Sequence, residues 1–244
     1  MPIFIKERGN HIKDRGENSF IRLPTFGAKI YNKIMRVGPI QTQISQIAQD
    51  LLNIVQSGFL LDIGTVHGRL LKVLHNLNPN INLYGLDISK SMIKIAKINL
   101  ADIEVKLSEG SIYKAPYENK FFDLITSTGS FYLWNHPKES INEIYRILKP
   151  DCTAMLYETY KNYDSFKFKE ALKQNLKSES LFRKKLLPRF LKKQLRMTYS
   201  IEEVEQIIKS TLFANSFEID KITLASLPIW IRIRLKKREE NYFK

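Results

Sequence analysis

Several things are scarce in this chain. It has one cysteine, Cys152, so neither an intrachain disulfide nor a cysteine-based zinc site can form, and a reducing cytoplasm fits that usage. The four histidines (His11, His67, His75, His136) are scattered and compose no metal set. No apolar run approaches the roughly 20 residues of a membrane span, and the amino terminus, MPIFIKERGNHIKDRG, lacks the apolar core of a signal peptide. The expectation is a soluble, cytoplasmic protein without a metal or an integral membrane segment. Acids are also short: 25 Asp and Glu face 39 Lys and Arg, a net charge of +14. An anionic partner would match that sign, whether nucleic acid, phospholipid surface or acidic substrate, but bulk charge speaks first to solubility and non-specific attraction. The rest is ordinary. Hydrophobic content of 43% and charged content of 26% suit a globular protein, and 244 residues hold one sizeable α/β domain with a cap.

What is present centres on residues 59–74, FLLDIGTVHGRLLKVL. A short apolar run ends in Asp62; Gly64 and Gly68 follow, with Thr65, Val66 and His67 between them; then Leu70, Leu71, Val73 and Leu74 recur at helical spacing. The pattern predicts strand, tight turn and helix, the opening of a doubly wound α/β sheet whose ligand sits beyond the carboxyl ends of the strands. The dinucleotide fingerprint G-x-G-x-x-G fails here, because Val66 and Arg69 stand where its second and third glycines belong. A second strand and amphipathic helix follow in NLYGLDISKSMIKIA, residues 82–96, the strand closing on Asp87. Asp87 lies nineteen residues beyond Gly68, about the distance at which an acid meets ribose hydroxyls.

The loop at Asp62, Gly64 and Gly68 resembles the D/E-x-G-x-G-x-G of class I S-adenosylmethionine-dependent methyltransferases, departing at Val66, where a β-branched residue disfavours positive φ. Gly85-Leu86-Asp87-Ile88-Ser89 with Met92 looks like that family's second motif, in register with the first. Glu109-Gly110-Ser111-Ile112 stands where the family often carries an acid for the adenine amino group, Ser111 being a weaker acceptor. Ile144–Asp151, IYRILKPD, matches again, with Asp151-Cys152 where Gly-Gly is usual. The loop from Thr126 through Thr128 to Trp134 is similar to the small-molecule, ubiquinone/menaquinone-biosynthesis-like branch (methyltransferase type 11). It lacks the signatures of adenine-, glutamine- and cytosine-C5-methylating enzymes.

The resemblance covers roughly Ala28–Leu235 and implies a Rossmann-like, doubly wound sheet of seven strands, mostly parallel, with a C-terminal antiparallel hairpin and an N-terminal helical cap. Strands are expected at 59–63, 82–86, 103–107, 122–126 and 154–158, then 217–225 and 229–235, with helices at 137–148 and from a Ser200 cap to about Leu212. Residues 1–56 form an arm and cap of two helices broken at Gly38-Pro39, and residues 57–244 the cofactor-binding domain. The implied cofactor is S-adenosyl-L-methionine, leaving as S-adenosyl-L-homocysteine. Its implied contacts are Tyr31, Asp62, Gly64, Thr65, Gly68, Asp87, Ile88, Met92, Ser111, Ile112 and Thr128. Tyr132 and Trp134 are candidates for the acceptor pocket; Tyr132, His136 and Glu158 are candidate bases for an acceptor that arrives protonated.

A basic insert at about 160–199 completes the chain. Residues 180–197, SLFRKKLLPRFLKKQLRM, read as a basic amphipathic helix kinked or started at Pro188. A lid over a small-molecule acceptor is the first reading. Peripheral contact with a membrane through 180–197 and a nucleic-acid patch are the alternatives, the latter not favoured.

Overall fold

The computed structural model describes residues 38–177 and 179–239; Tyr31 and the first expected helix lie outside them. Helix α1 (Gly38–Leu52) leads into β1 (Gly58–Ile63), α2 (Arg69–Leu77), β2 (Ile81–Asp87), α3 (Lys90–Asn99) and β3 (Val105–Glu109). Then come β4 (Phe122–Thr128), α4 (Pro137–Ile147) and β5 (Leu148–Thr159). Two helices, α5 (Ser165–Asn175) and α6 (Leu181–Leu195), form the insert, followed by α7 (Ile201–Lys209) and the hairpin β6 (Phe217–Leu224) and β7 (Leu227–Lys236). The strands make one sheet in the order β3-β2-β1-β4-β5-β7-β6. Pairing is parallel from β3 to β5, and antiparallel for β5 with β7 and β7 with β6. The seven-stranded, doubly wound sheet with a terminal antiparallel hairpin is the expected architecture.

Alternation along the strands divides the core in two. Leu61, Ile63, Leu86, Ile125, Ala154 and Leu156 face α4 and α7, burying Ile141, Ile144, Ile147, Val204 and Ile207. Leu60, Leu83, Leu124, Met155 and Tyr157 face the other way, against Ile47, Ala48 and Leu51 of α1, Leu70, Leu71 and Leu74 of α2, and Phe168, Leu172 and Leu187 of the insert. Each fully buried Leu or Ile contributes roughly 1.5–3 kcal/mol, so α1 and the insert are held to the sheet by their own apolar faces. Polar ties reinforce α1: the Tyr157 hydroxyl donates to Asp50 Oδ2 (2.6 Å), and Arg232 pairs with the same carboxylate at 3.1 Å.

The structure corrects several expected boundaries, each for a local reason. Strand β3 starts at Val105 rather than 103, because Ile103 N–H is taken by Leu100 O in the turn that closes α3. Helix α7 stops at Lys209 rather than Leu212: the Ser210 and Thr211 hydroxyls donate to the Ile207 and Ile208 carbonyls that a continuing helix would need. The Ser200–Glu203 capping box at its start is formed as expected. Strand β5 begins at Leu148, directly after α4, with an irregularity opposite Phe122–Leu124; there Asp151 takes φ 57°, the left-handed conformation that the usual glycines provide freely. Helix α5 was not expected at all. Asp164 caps it by accepting from Phe166 N and Lys167 N, and its two buried positions, Phe168 and Leu172, together with the capping Leu176, are hidden among lysines. Helix α6 neither starts at nor is interrupted by Pro188, which sits inside it.

Candidate functional site

In a doubly wound sheet the crevice opens where the chain's winding direction reverses, between β1 and β4 here. The register brings the candidate residues to that edge. Ile63 lies beside Leu86 on one side and Ser127 on the other; Asp87 pairs with Glu109, and Thr128 with Tyr157. Asp62, Asp87, Thr128 and Glu158 therefore stand at the carboxyl ends of four neighbouring strands.

The first loop is stitched to β2 by its own amides. Gly64 N and Thr65 N both donate to Leu86 O (2.8 and 3.1 Å), and Gly68 N closes the turn on Thr65 O (2.8 Å). Gly64 (φ 73°) and Gly68 (φ 75°) are both left-handed. A Cβ on Gly64 would lie 2.9 Å from the Ser130 Cβ, and one on Gly68 would run into the Leu100 side chain, so a side chain at either position would force its neighbour to shift. Val66, at the family's middle glycine, does not escape to negative φ: it is held at φ 52°. Its amide donates to Asp87 Oδ2 (2.8 Å), a hydrogen bond to a carboxylate that helps offset a conformation β-branched residues avoid.

Asp87 receives a second amide, Ser89 N on Oδ1 (2.8 Å). A carboxylate has about four lone-pair sites, so two remain for vicinal hydroxyls. Burial raises its pKa, and the Ser89 and Val66 amides work against that. Asp62, buried beneath the loop, is pushed up to about 7, chiefly by desolvation and further by the Asp87 charge, with the Thr65 hydroxyl acting in the opposite sense. Two acids close enough to repel, buried with no compensating basic side chain among the described residues, make a crevice suited to a positively charged ligand. Among the described residues no cluster of ligating side chains could hold a metal ion.

The remaining candidates line the same edge. Ile88 is half-buried, and Met92 is buried with its amide on Ser89 Oγ (3.4 Å), the cap of α3. Ser111 is partly occupied: its hydroxyl accepts from Tyr113 N (3.3 Å), capping a short 3-10 turn that buries Ile112. Gly110 N donates to Asp87 O, which fixes that loop to the second motif. Thr128 Oγ1 is buried without a hydrogen-bond partner among the described residues. Beyond β4, Tyr132 and Trp134 are both buried, and His136 occupies the cap position of α4 with its ring stacked on Tyr113 at 4.3 Å.

Glu158 is buried at the end of β5. Its Oε1 accepts from Ser130 N (3.0 Å) and Phe131 N (3.1 Å), so it anchors the loop after β4, while Oε2 has no partner among the described residues. Burial raises this carboxyl to about 8, against the lowering effect of the Phe131, Ser130 and Gly129 amides. Sequence reasoning passed over Ser130, whose hydroxyl meets Ser127 Oγ (2.6 Å) and Trp134 Nε1 (3.2 Å) and whose Cβ faces Gly64. It also passed over Gln194 of α6, which reaches to 3.7 Å of where a Gly129 Cβ would lie. Nothing in the local sequence marks the approach of Ser130 to Gly64 or of Gln194 to Gly129, since each joins elements far apart in the chain.

Comparison with known proteins places this chain beside a protein family, curated relatives and solved structures. A methyltransferase-domain family model matches residues 61–156. An uncharacterized protein of Methanocaldococcus jannaschii is 32% identical over 196 residues, covering 76% of this chain and 70% of that one. A demethylmenaquinone methyltransferase of Lactobacillus johnsonii is 32% identical over 115 residues, 44% of this chain and 46% of that one. The chain spans about half the length of most of the curated relatives it matches. A solved structure from Methanococcus maripaludis, described as a candidate S-adenosyl-L-methionine-dependent methyltransferase, superposes with a TM-score of 0.70 at 23% identity, covering 98% of this chain and 100% of that one. The glycine loop, the acids at the ends of β1 and β2, and the sheet order all accommodate that cofactor. The chain belongs to the class I S-adenosylmethionine-dependent methyltransferases, in the type 11 branch.

Proposed function

We propose that this enzyme methylates a small organic acceptor, amphipathic or anionic, that enters between the loop after β4 and the insert helices. The observation carrying the reading is the Asp87 carboxylate. It is clamped by the Val66 and Ser89 amides so that its remaining lone pairs meet the ribose hydroxyls, with Asp62 beneath the loop for the methionine ammonium. When bound, the cofactor supplies a methyl group on an electrophilic sulfonium. The protein's own work is alignment: the two glycines let the loop amides approach, Asp87 sets the nucleoside, and the buried side chains of Phe131, Tyr132 and Trp134 in the loop after β4 exclude water. Holding donor and acceptor in line is worth about 7–11 kcal/mol. An acceptor that arrives protonated needs a base, for which Tyr132, His136 and Glu158 are the candidates; Glu158 keeps one oxygen on loop amides, which leaves Oε2 for that role.

The basic insert supports the lid reading. Leu187 and Leu195 of α6 are buried toward the sheet and Gln194 reaches the loop after β4, while Lys173, Lys177, Lys185, Arg189, Lys192 and Lys193 form no ion pair among the described residues. Their field favours an anionic acceptor. No helix among the described residues is long and apolar enough to cross a membrane. The test is incubation of the protein with methyl-labelled cofactor and a cell extract, followed by separation of RNA, lipid and small metabolites. Label in the small-metabolite or lipid fraction, lost in Asp87→Asn, is the expected result. Label in RNA would overturn the acceptor class.

A further inference from the structure

We propose that the outward face of the insert helices α5 and α6 is a docking surface for an anionic phospholipid bilayer. The proposal goes beyond methyl transfer and does not depend on which acceptor is methylated. Between Ser165 and Arg196 the chain carries eleven Lys and Arg against two acids, Glu170 and Glu179. Much of the net charge of +14 is therefore gathered on these two helices.

Packing decides which way those charges point. Leu187 and Leu195 of α6 are buried, with Leu186 and Leu191 partly buried on the same core, and Phe168 and Leu172 of α5 are buried against it too. A helix turns about 100° per residue, so a side chain two positions from a buried one points nearly the opposite way. Lys185 and Arg189 flank Leu187 at that spacing, Lys193 precedes Leu195 at it, and all three are exposed. Lys173 of α5, Lys192 of α6 and Arg196 just beyond it are exposed as well, and none of the six forms an ion pair among the described residues. The apolar stripe that residues 180–197 offer for insertion into a membrane is taken up by the sheet. What faces outward is a cationic surface on a pair of helices already folded onto the domain, and a cluster of this size suits an anionic headgroup layer.

Charge alone would suit any polyanion; two projecting apolar side chains narrow the partner. Phe166, in the first turn of α5, is 73% exposed, and Leu181, the first residue of α6, is 85% exposed. Phe166 stands two positions from buried Phe168, which aims it away from the sheet. A lone exposed apolar residue is ordinary. Two large ones set among cations, one at the start of each insert helix, fit a bilayer surface: lysines meet the headgroup phosphates while the apolar side chains enter the acyl boundary. Neither side chain contributes to steering a small anion. Eight of the eleven cations are lysines, point charges suited to a fluid headgroup layer, whereas arginine gives the bidentate contacts favoured in nucleic-acid recognition. Helix α6 also carries Gln194, which approaches Gly129, so docking by its outward face keeps the loop after β4 close to the bilayer.

The test is co-sedimentation of the full chain with phosphatidylcholine vesicles, either pure or carrying about one-third phosphatidylglycerol. Binding to the anionic vesicles at least about tenfold tighter than to the neutral ones is expected, with release as salt rises from about 0.1 M to about 0.5 M. The combined substitutions Lys185→Gln, Arg189→Gln, Lys192→Gln and Lys193→Gln should weaken it at least about tenfold. Phe166→Ser with Leu181→Ser should weaken vesicle binding about threefold or more and leave binding to single-stranded RNA unchanged. All of these side chains are exposed, so both variants should unfold within about 2 °C of the wild type. Equal binding to the two kinds of vesicle, or binding to neither, overturns the proposal without any variant having to fold. Undiminished vesicle binding in the Phe166→Ser, Leu181→Ser variant overturns it as well. So does tighter binding of RNA than of the anionic vesicles, which would assign the face to nucleic acid.

Discussion

Replacing Glu158 with glutamine should stabilise the free protein at alkaline pH and leave it nearly unchanged in mild acid. In the folded chain burial lifts this carboxyl from 4.5 to about 8. The native state therefore binds more protons than the unfolded chain throughout that interval, and stability falls as pH rises through it. The contribution is fully present below about pH 4.5 and gone above about pH 8. At roughly 1.4 kcal/mol for each tenfold change in proton affinity, the rise from 4.5 to about 8 corresponds to roughly 4–5 kcal/mol across the whole window. Glutamine keeps an oxygen to accept from Ser130 N and Phe131 N, and its unpaired amide replaces an oxygen that is already unpaired, so the baseline in acid should differ by less than about 1 kcal/mol. Asp62 titrates in the same direction in both proteins and drops out of the difference. Urea unfolding followed by the fluorescence of the chain's two tryptophans, Trp134 and Trp230, measures it. Glu158→Gln should gain at least about 2–3 kcal/mol on the wild type between about pH 5 and pH 9. A difference that does not change with pH would refute the claim that this carboxyl is held against its preferred ionisation.

Two further substitutions probe the first loop. Val66→Gly should stabilise the fold by about 1 kcal/mol, because the residue sits at φ 52°, and a non-glycine there costs roughly 1–2 kcal/mol, part of which glycine's freedom in the unfolded chain takes back; a denaturation midpoint that falls would contradict it. Gly68→Ala should cost about 2–4 kcal/mol, from the left-handed φ together with a Cβ that runs into the Leu100 side chain. Thermal unfolding within about 2 °C of the wild type would show the loop far more pliant than this packing implies.

The order of strands and helices is largely legible in the sequence, because hydrophobic periodicity and capping are local. The runs ending in Asp62 and Asp87, the Ser200–Glu203 box and the alternation of β6 and β7 each declare themselves within a few residues. Two motifs in register, at 62–68 and 85–92, likewise pointed to the cofactor family, since the spacing between a glycine loop and the next acid is a property of one strand–helix–strand unit. Helix α5 escaped because its two buried positions, Phe168 and Leu172, are separated by charged residues whose outward direction only packing reveals.

The chemistry of the crevice was less legible than its outline. That Val66 would be forced to positive φ, with an amide on Asp87 in return, follows from the closure of the loop on β2. That Glu158 would be an orphaned buried acid rather than an exposed one follows from the loop after β4 folding back over β5. By itself the sequence determined most of the backbone segments that are strand, turn and helix, because those preferences are decided within a turn or two of chain. Only the tertiary structure decided which side chains share that crevice and which carboxyls are stripped of water, because burial is set by residues distant in sequence, and an acid's charge depends on its distance from water rather than on its neighbours in the chain.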